Sequence, residues 1–158
     1  MKVAIIADDL TGANATAALL STQGFTTLTC LDNPEYAEDY DVVSFSTDSR
    51  SVSYQEAYAR VSRYLEIINP EITTISKRID STLRGNLGAE VDAVIDRFPQ
   101  LMAIVVPVYP SSGRICVGGS LLVDGIPLQN TAMRNDPKNP MTESSVMELF
   151  RKQTNKNL

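Results

Sequence analysis

The stretch EITTISKRIDSTLRGNLGAEVDAVIDRF, residues 71–98, decides the fold because it joins a strand, a loop and a helix. EITTIS alternates as a strand does, whereas the apolar residues after Asn86 recur at the spacing of one helix face. Between them KRIDSTLRGN, residues 77–86, concentrates charged and hydrogen-bonding side chains. So many polar groups at a strand-to-helix junction predict a binding loop.

The same alternation of strands and helices extends in both directions from this stretch. Short, apolar, β-branched runs predict further strands buried on both faces. They are VAIIA (Val3–Ala7), TTLTCL (Thr26–Leu31), DVVSFS (Asp41–Ser46) and LMAIVV (Leu101–Val106). Strands that alternate with helices predict an α/β fold, with a doubly wound, Rossmann-like parallel sheet covered by helices on both faces.

Helix boundaries are marked by their usual residues. Gly24 is placed to end the small-residue helix that follows DDLTG. Ser53 and Glu56 form a capping-box pattern before the most regular helical pattern in the chain, and Pro70 is predicted to close that helix.

The remainder of the chain has a different character. The pair Asp124-Gly125 between two extended runs predicts a C-terminal β-hairpin extension. Thr142 is predicted to cap a short final helix that carries Val146 and Leu149. One domain over residues 1–150 followed by a polar tail over residues 151–158 is therefore expected.

Composition excludes several classes of function. The chain has 158 residues, a net charge of -5 and no histidine, which removes Ser-His-Asp catalysis and argues against nucleic acid as a partner. The two cysteines, Cys30 and Cys116, lack the spacing of a zinc site and are expected as free thiols in the cytoplasm. The N-terminal apolar run is too short for a membrane span, so no membrane partner is expected.

Four polar clusters follow predicted strands: ADDLTG, STDSR, KRIDSTLRGN and PVYPSSGR. Since ligands bind at the carboxyl ends of the strands in such sheets, these clusters are expected to converge on one crevice. Asp8 and Asp9 could accept hydrogen bonds from hydroxyl groups, although one of them could instead cap the next helix. Arg50 could clamp a carboxylate, or it could pair with Asp48.

The loop 77–86 offers the largest set of candidate contacts. Strand alternation directs either Lys77 or Arg78 to the ligand side. Asp80 could accept a substrate hydroxyl, Arg84 could hold an anion, and further candidates are the donors Ser81 and Thr82 and the glycine Gly85. The alternative is a helix cap with flanking surface charges. No nucleotide-binding glycine motif is present, so the residues alone favour a small, hydroxylated, anionic ligand.

Three segments together resemble the four-carbon acid sugar kinase family. They are ADDLTGA, KRIDSTLRGN and GR…GGSLLVDGIPLQNT…DPKNPMTES, in the order and at the spacing of that family. The resemblance extends from residue 3 to about residue 146 and is closer to the D-threonate and D-erythronate branch than to the 3-oxo-tetronate branch.

This resemblance implies ATP-dependent phosphorylation of a threonate-type or erythronate-type sugar acid. In the family an N-terminal domain holds the acid sugar and a C-terminal domain holds the nucleotide, with ATP and Mg²⁺ as cofactors. The matching substrate-binding candidates here are Asp8, Asp9, Arg50, Lys77, Asp80, Ser81 and Arg84. Arg84 or Arg50 would hold the carboxylate and the aspartates the hydroxyls, while a catalytic base and metal ligands stay unassigned.

The chain stops where the family continues into its nucleotide-binding domain. We therefore expect no bound cofactor and no kinase activity from this chain alone, and we expect the missing domain and a sugar acid as its partners. A homodimer could cover apolar surface that the missing domain leaves exposed. Two alternatives stay open: a stand-alone sugar-acid binding or regulatory module, and a remnant fragment without catalysis.

Overall fold

A four-stranded parallel sheet forms the centre of the molecule. The computed structural model describes residues 1–32, 37–71, 73–154 and 156. Its strands are β1 (Val3–Ala7), β2 (Thr27–Cys30), β3 (Val42–Ser46) and β4 (Thr74–Arg78). Their order is β2-β3-β1-β4 and every pairing is parallel, as the alternation of elements predicted.

Helices cover both faces of this sheet. Helix α1 (Leu10–Ser21) packs closely on one face through small buried residues, and the hydroxyl of Ser44 donates to the carbonyl of Ala13 at 3.0 Å. Helices α2 (Tyr54–Leu65) and α3 (Leu87–Arg97) pack on each other over the opposite face. The predicted doubly wound α/β class is therefore confirmed.

The helix ends match the predictions only in part. The Ser53 hydroxyl accepts from the backbone N–H of Glu56 at 3.2 Å, which is the predicted N-cap. Gly24 follows α1 with φ of +89°, in the left-handed region that favours glycine. The prediction that Pro70 closes α2 is wrong, because α2 ends earlier, at Leu65.

A small antiparallel sheet follows, made of β5 (Arg114–Val117), β6 (Ser120–Val123) and β7 (Ile126–Pro127). The turn at Asp124-Gly125 joins β6 to β7, which confirms the predicted hairpin. This sheet, the start of α3 and the final helix pack around an apolar cluster of their own, separate from the core under the parallel sheet. The buried members of that cluster are Leu83, Leu87, Leu121, Leu128, Met141, Leu149 and Phe150.

The final helix, α4 (Val146–Gln153), begins three residues later than predicted. Its N-cap is Ser145 rather than Thr142, because the Ser145 hydroxyl accepts from the N–H of Glu148 at 3.3 Å. The helix also continues through residue 150, the predicted domain limit. In the tail, Thr154 bonds the carboxylate of Asp92, whereas residues 155, 157 and 158 lie outside the described residues.

The prediction of a buried strand over Leu101–Val106 is wrong. Among the described residues this segment pairs with no strand, and Met102 and Ile104 are 83% and 80% exposed. A groove of about 700 Å³ separates it from β4, which among the described residues pairs only with β1. The apolar composition of this segment is typical of a strand, but composition does not show whether a partner strand is available.

Candidate functional site

Polar side chains from three strand ends lie together at the carboxyl edge of the sheet. Asp8 and Asp9 follow β1, Arg50 lies in the loop after β3, and Asp80 follows β4. The helix after β1 lies on one face, whereas the helices after β3 and β4 lie on the other, and this divergence opens a crevice at the strand ends. Three of the four predicted clusters therefore converge here.

The guanidinium of Arg50 connects these three strand ends. Its Nε lies 2.6 Å from Oδ2 of Asp8, and its Nη1 lies 2.8 Å from Oδ2 of Asp9. Its Nη2 lies 3.6 Å from Oδ1 of Asp80. Burial disfavours the charge of Arg50, but the hydrogen bond that Arg50 donates to Asp8 and the three nearby carboxylates raise the pKa of Arg50 above its ordinary value. Asp48 does not pair with Arg50, because it lies 3.2 Å from Arg60 instead.

Asp80 organises the turn that leads from β4 to α3. Its Oδ2 accepts from the Thr82 hydroxyl at 2.5 Å and from Nε of Arg84 at 2.9 Å. Burial acts to raise the pKa of Asp80, but the hydrogen bonds from Arg84 and Thr82 and the charge of Arg50 hold it well below its usual range. Ser81 lies half-buried in the same turn.

The second anchor of Arg84 is Asp136, which lies beyond the small sheet. Nη1 of Arg84 donates to Oδ2 of Asp136 at 3.1 Å, so Arg84 joins the binding loop to the segment 136–140. The hydrogen bonds and charge of Asp80, against the effect of burial, raise the pKa of Arg84 above its ordinary value. Both arginines predicted to bind a substrate carboxylate are thus already bound to carboxylates of the chain itself.

Gly85 lies in close contact with Arg50. Its φ is +98°, and a Cβ atom at this position would lie 3.0 to 3.2 Å from atoms of Arg50. The adjacent Asn86 donates through Nδ2 to the carbonyls of Ser49 and Val52, at 2.8 Å each. These contacts fix the loop after β3 against the start of α3, and they leave Asn86 without a side-chain capping bond.

Lys77 points to α3. Its Nζ lies 2.7 Å from Oε2 of Glu90, a fully buried carboxylate, and donates to the carbonyl of Arg78 at 2.8 Å. Oε1 of Glu90 accepts from the Ser49 hydroxyl at 2.5 Å. Sequence reasoning missed Glu90, although it lies three residues after Leu87, within the apolar face of α3, where a carboxylate needs a buried partner.

Arg78 lies on the opposite side of β4 and carries an unsatisfied donor. Within the described part of the chain, its Nε is buried without a hydrogen-bond partner, and the same holds for Oδ1 of Asp8. Arg78 pairs in register with the last residue of β1, immediately before Asp8. A Cβ on Gly12 would lie 2.9 Å from Oδ1 of Asp9 and 3.4 Å from Cγ of Arg78, so both side chains flank the start of α1.

This arrangement suits a small ligand that carries both an anion and hydroxyl groups. Arg78 offers a free donor, and Asp8 offers a free acceptor at 1% exposure. Both carboxylate oxygens of Asp9 have partners: Oδ2 lies 2.8 Å from Nη1 of Arg50, and Oδ1 accepts from the N–H of Gly12 at 2.7 Å, which caps α1. Across residues 1–32, 37–71, 73–154 and 156, no three metal-ligating side chains cluster and no helix is long and apolar enough to cross a membrane.

The fourth predicted cluster, PVYPSSGR, follows the unpaired segment 101–106. Tyr109 is half exposed and pairs through its backbone with Arg114 at 2.8 Å, which closes a local turn. Val108 and Tyr109 line the same groove as Arg78, at the end of β4.

Comparison with known proteins identifies related chains. The family model described as a sugar-binding N-terminal domain matches residues 3–158. The D-erythronate kinase of Heliobacterium modesticaldum is 47% identical over 159 residues, which cover 97% of this chain and 36% of that protein. The D-threonate kinase of Salmonella typhimurium is 35% identical over 154 residues and 94% of this chain. The chain spans about 36% of the length of these curated relatives.

Solved structures show the same architecture. A crystal structure of a domain of unknown function from Bordetella bronchiseptica superposes with a TM-score of 0.89 at 31% identity. The match covers 96% of this chain and 40% of the Bordetella chain. The Bordetella structure is described as a domain-swapped dimer with bound citrate.

Proposed function

Because this chain belongs to the family of sugar-binding N-terminal domains, we propose that its crevice binds a four-carbon sugar acid of the threonate or erythronate type. The acid is the phosphoryl acceptor of an ATP-dependent kinase, and this chain supplies the part that holds it. Relatives named D-erythronate kinase and D-threonate kinase support this substrate class.

The observation that carries the proposal is the pair of unmet polar atoms at the adjacent ends of β1 and β4. A buried guanidinium N–H without an acceptor favours an anion, and a buried carboxylate oxygen without a donor favours a hydroxyl group. A short sugar acid carries both groups a few ångströms apart. We therefore assign the substrate carboxylate to Arg78 and a substrate hydroxyl to Asp8.

The other predicted site residues position this pair. Arg50 holds Asp8, Asp9 and Asp80 in place through its three nitrogen atoms. Such fixed polar groups cost little reorganisation when a ligand binds, which suits a reaction that depends on positioning more than on a base. Arg84 and Lys77 hold the loop through Asp136 and Glu90.

Phosphoryl transfer requires a nucleotide site that this sequence does not display. In our proposal ATP and Mg²⁺ are held by a further domain, which faces the crevice and delivers the phosphoryl group to an acceptor hydroxyl. The length of the relatives, of which this chain spans about 36%, leaves room for such a domain.

Isothermal titration of the purified chain tests the substrate class. D-erythronate and D-threonate are compared with erythritol, which has the same hydroxyl-bearing length but no carboxylate, and with ATP. We expect measurable binding of at least one acid, and no binding of erythritol or ATP at the same concentrations. Equal affinity for erythritol and the acids would refute the assignment of an anion site.

We further propose a cytoplasmic homodimer. The thiols of Cys30 and Cys116 are free, which suits a reducing compartment. The neighbouring Bordetella structure is described as a dimer, and this chain exposes a run of large apolar residues after α3. Light scattering coupled to size exclusion measures the mass directly, and a monomeric mass at the highest concentration at which the chain stays in solution would refute the dimer.

A further inference from the structure

We infer that Gln153, the last residue of α4, is a positioning residue for the crevice, an inference that rests on the proposed function. Its side-chain amide contacts the backbone on both sides of the N-cap of α3. Oε1 accepts from the N–H of Gly88 at 3.0 Å, and Nε2 donates to the carbonyl of Gly85 at 3.1 Å. One side chain therefore holds the start of α3 and the end of the binding loop together.

Helix α3 receives from Gln153 a cap that its own N-cap residue does not provide. The first N–H groups of a helix lack intrahelical acceptors and need other partners when they are buried. Asn86 makes no side-chain capping bond, because its amide donates to the carbonyls of Ser49 and Val52. Gly88 is buried in the first turn of α3, so the oxygen of Gln153 supplies the missing acceptor from another helix.

The chemistry of this double contact favours glutamine. A side-chain amide has both an acceptor oxygen and donor N–H groups, whereas a carboxylate only accepts and an ammonium only donates. The backbone partners fix the orientation of the amide, since its oxygen meets an N–H and its nitrogen meets a carbonyl. The end of α4 also lies so close to α3 that a Cβ on Gly88 would lie 2.6 Å from Cβ of Gln153.

Gly85 connects this contact to the centre of the crevice. A Cβ on Gly85 would lie 3.0 to 3.2 Å from atoms of Arg50, so the loop backbone lies directly against that arginine. Arg50 in turn lies 2.6 Å from the carboxylate of Asp8 and 2.8 Å from that of Asp9. The position of Gly85 therefore restricts the position of Arg50, and with it the acceptor that we assign to the substrate hydroxyl.

The residues that follow Gln153 fix the end of α4 along α3. Thr154 bonds the carboxylate of Asp92, and Lys156 pairs with Asp96, about one helical turn farther along α3. Gln153 is thus held in place by contacts that do not involve the crevice. A side chain supported in this way can fix the geometry of a site that it does not itself line.

Gln153→Glu separates positioning from capping. The carboxylate can still accept from Gly88, where the helix N-terminus favours negative charge, but it cannot donate to Gly85. We expect Gln153→Glu to melt at a higher temperature than Gln153→Met, which loses both bonds. Both variants should bind D-erythronate or D-threonate, whichever the original chain binds, roughly three- to tenfold more weakly. Gln129→Glu is the matched control, because Oε1 of Gln129 accepts from the N–H of Ser144 at 2.9 Å, directly after β7.

The NMR signal of the Arg50 side chain tests the inference without a ligand. In proton–nitrogen spectra the Nε–H of Arg50 should exchange slowly with water in the original chain, since it donates to Asp8 at 2.6 Å. We expect Gln153→Glu to shift this signal or to speed its exchange, and Gln129→Glu to leave it unchanged.

The two measurements distinguish failure of this inference from failure of the proposed function. An original chain that binds neither acid would refute the proposed function, and the Arg50 signal alone would then decide the role of Gln153. An Arg50 signal that does not change in Gln153→Glu, or an unchanged affinity of that variant for the acid, would overturn the inference.

Discussion

The ammonium nitrogen of Lys77 lies 2.7 Å from Oε2 of Glu90, and Glu90 has no exposed surface. This ion pair joins the end of β4 to the first turns of α3, directly beneath the crevice. The Ser49 hydroxyl bonds the other oxygen of Glu90, so the loop after β3 is held by the same carboxylate. The site is therefore supported by a buried charge network that no ligand needs to contact.

Replacing Glu90 should cost more stability than replacing an exposed acid on the neighbouring helix. Glu90→Gln leaves the Lys77 charge buried without a counter-charge, which typically costs about 3 to 5 kcal/mol. The matched control is Glu56→Gln, whose carboxylate pairs with Arg60 at 2.6 Å on the surface of α2 and is worth roughly 0.5 kcal/mol. Urea unfolding at pH 7 measures both, and equal losses would contradict the structural role of Glu90.

Gly85→Ala should destabilise the chain more than Gly24→Ala. The two glycines have similar φ angles, +98° and +89°, so both variants carry the same left-handed strain of about 1 kcal/mol. A Cβ on Gly85 also meets Arg50 at 3.0 to 3.2 Å, whereas a Cβ on Gly24 meets no atom of the described residues within 4 Å. Thermal unfolding should therefore show a lower melting temperature for Gly85→Ala. Equal melting temperatures would mean that Arg50 moves away without cost.

The central sheet could be predicted from sequence because its apolar runs are short and separated by helical patterns. Val3–Ala7 and Val42–Ser46 are buried on both faces, and a continuous apolar run reports this directly. Leu101–Val106 has the same composition but no partner strand in the described part of the chain, since pairing depends on distant geometry that a local pattern does not contain.

The candidate site was predictable in its location but not in its contacts. Parallel topology brings strand ends together, so Asp8, Asp9, Arg50 and Asp80 could be grouped before their geometry was known. Lys77 and Arg78 project from opposite faces of β4, and the sequence does not show which of the two faces the proposed ligand. Their orientation became clear only from the contact between Lys77 and Glu90, which leaves Arg78 on the other face.

Arg78→Gln should weaken sugar-acid binding while the fold is retained. Losing one charge-assisted hydrogen bond to a carboxylate costs about 1.5 to 3 kcal/mol, which corresponds to roughly a ten- to hundredfold increase in Kd. Arg60→Gln is the control, because Arg60 pairs with Glu56 on the surface of α2. Titration with D-erythronate and D-threonate measures both variants. Unchanged affinity in Arg78→Gln, with circular dichroism like that of the original chain, would exclude Arg78 as the carboxylate ligand.

The contribution of Asp80 to stability should disappear in acid. Against the effect of burial, the hydrogen bonds from Arg84 and Thr82 keep the pKa of Asp80 in the folded chain below its unfolded value of about 3.9. A lowered folded pKa gives stability that is fully present above the unfolded pKa and is lost as the pH falls through the folded pKa. The stability difference between the original chain and Asp80→Asn should therefore shrink as the pH falls below about 4.

Asp41 is another carboxylate whose contribution to stability is lost in acid, and its removal simplifies the unfolding curves of both chains. The hydrogen bond with Lys2, together with those from Thr26, lowers the pKa of Asp41 to about 2, so Asp41 also loses its stabilising effect in acid. Both chains should carry Asp41→Asn, and urea unfolding should be followed at several pH values from neutral into acid. A difference between the two chains that stays constant or grows as the pH falls would show that the Arg84 and Thr82 contacts do not stabilise the ionised form of Asp80.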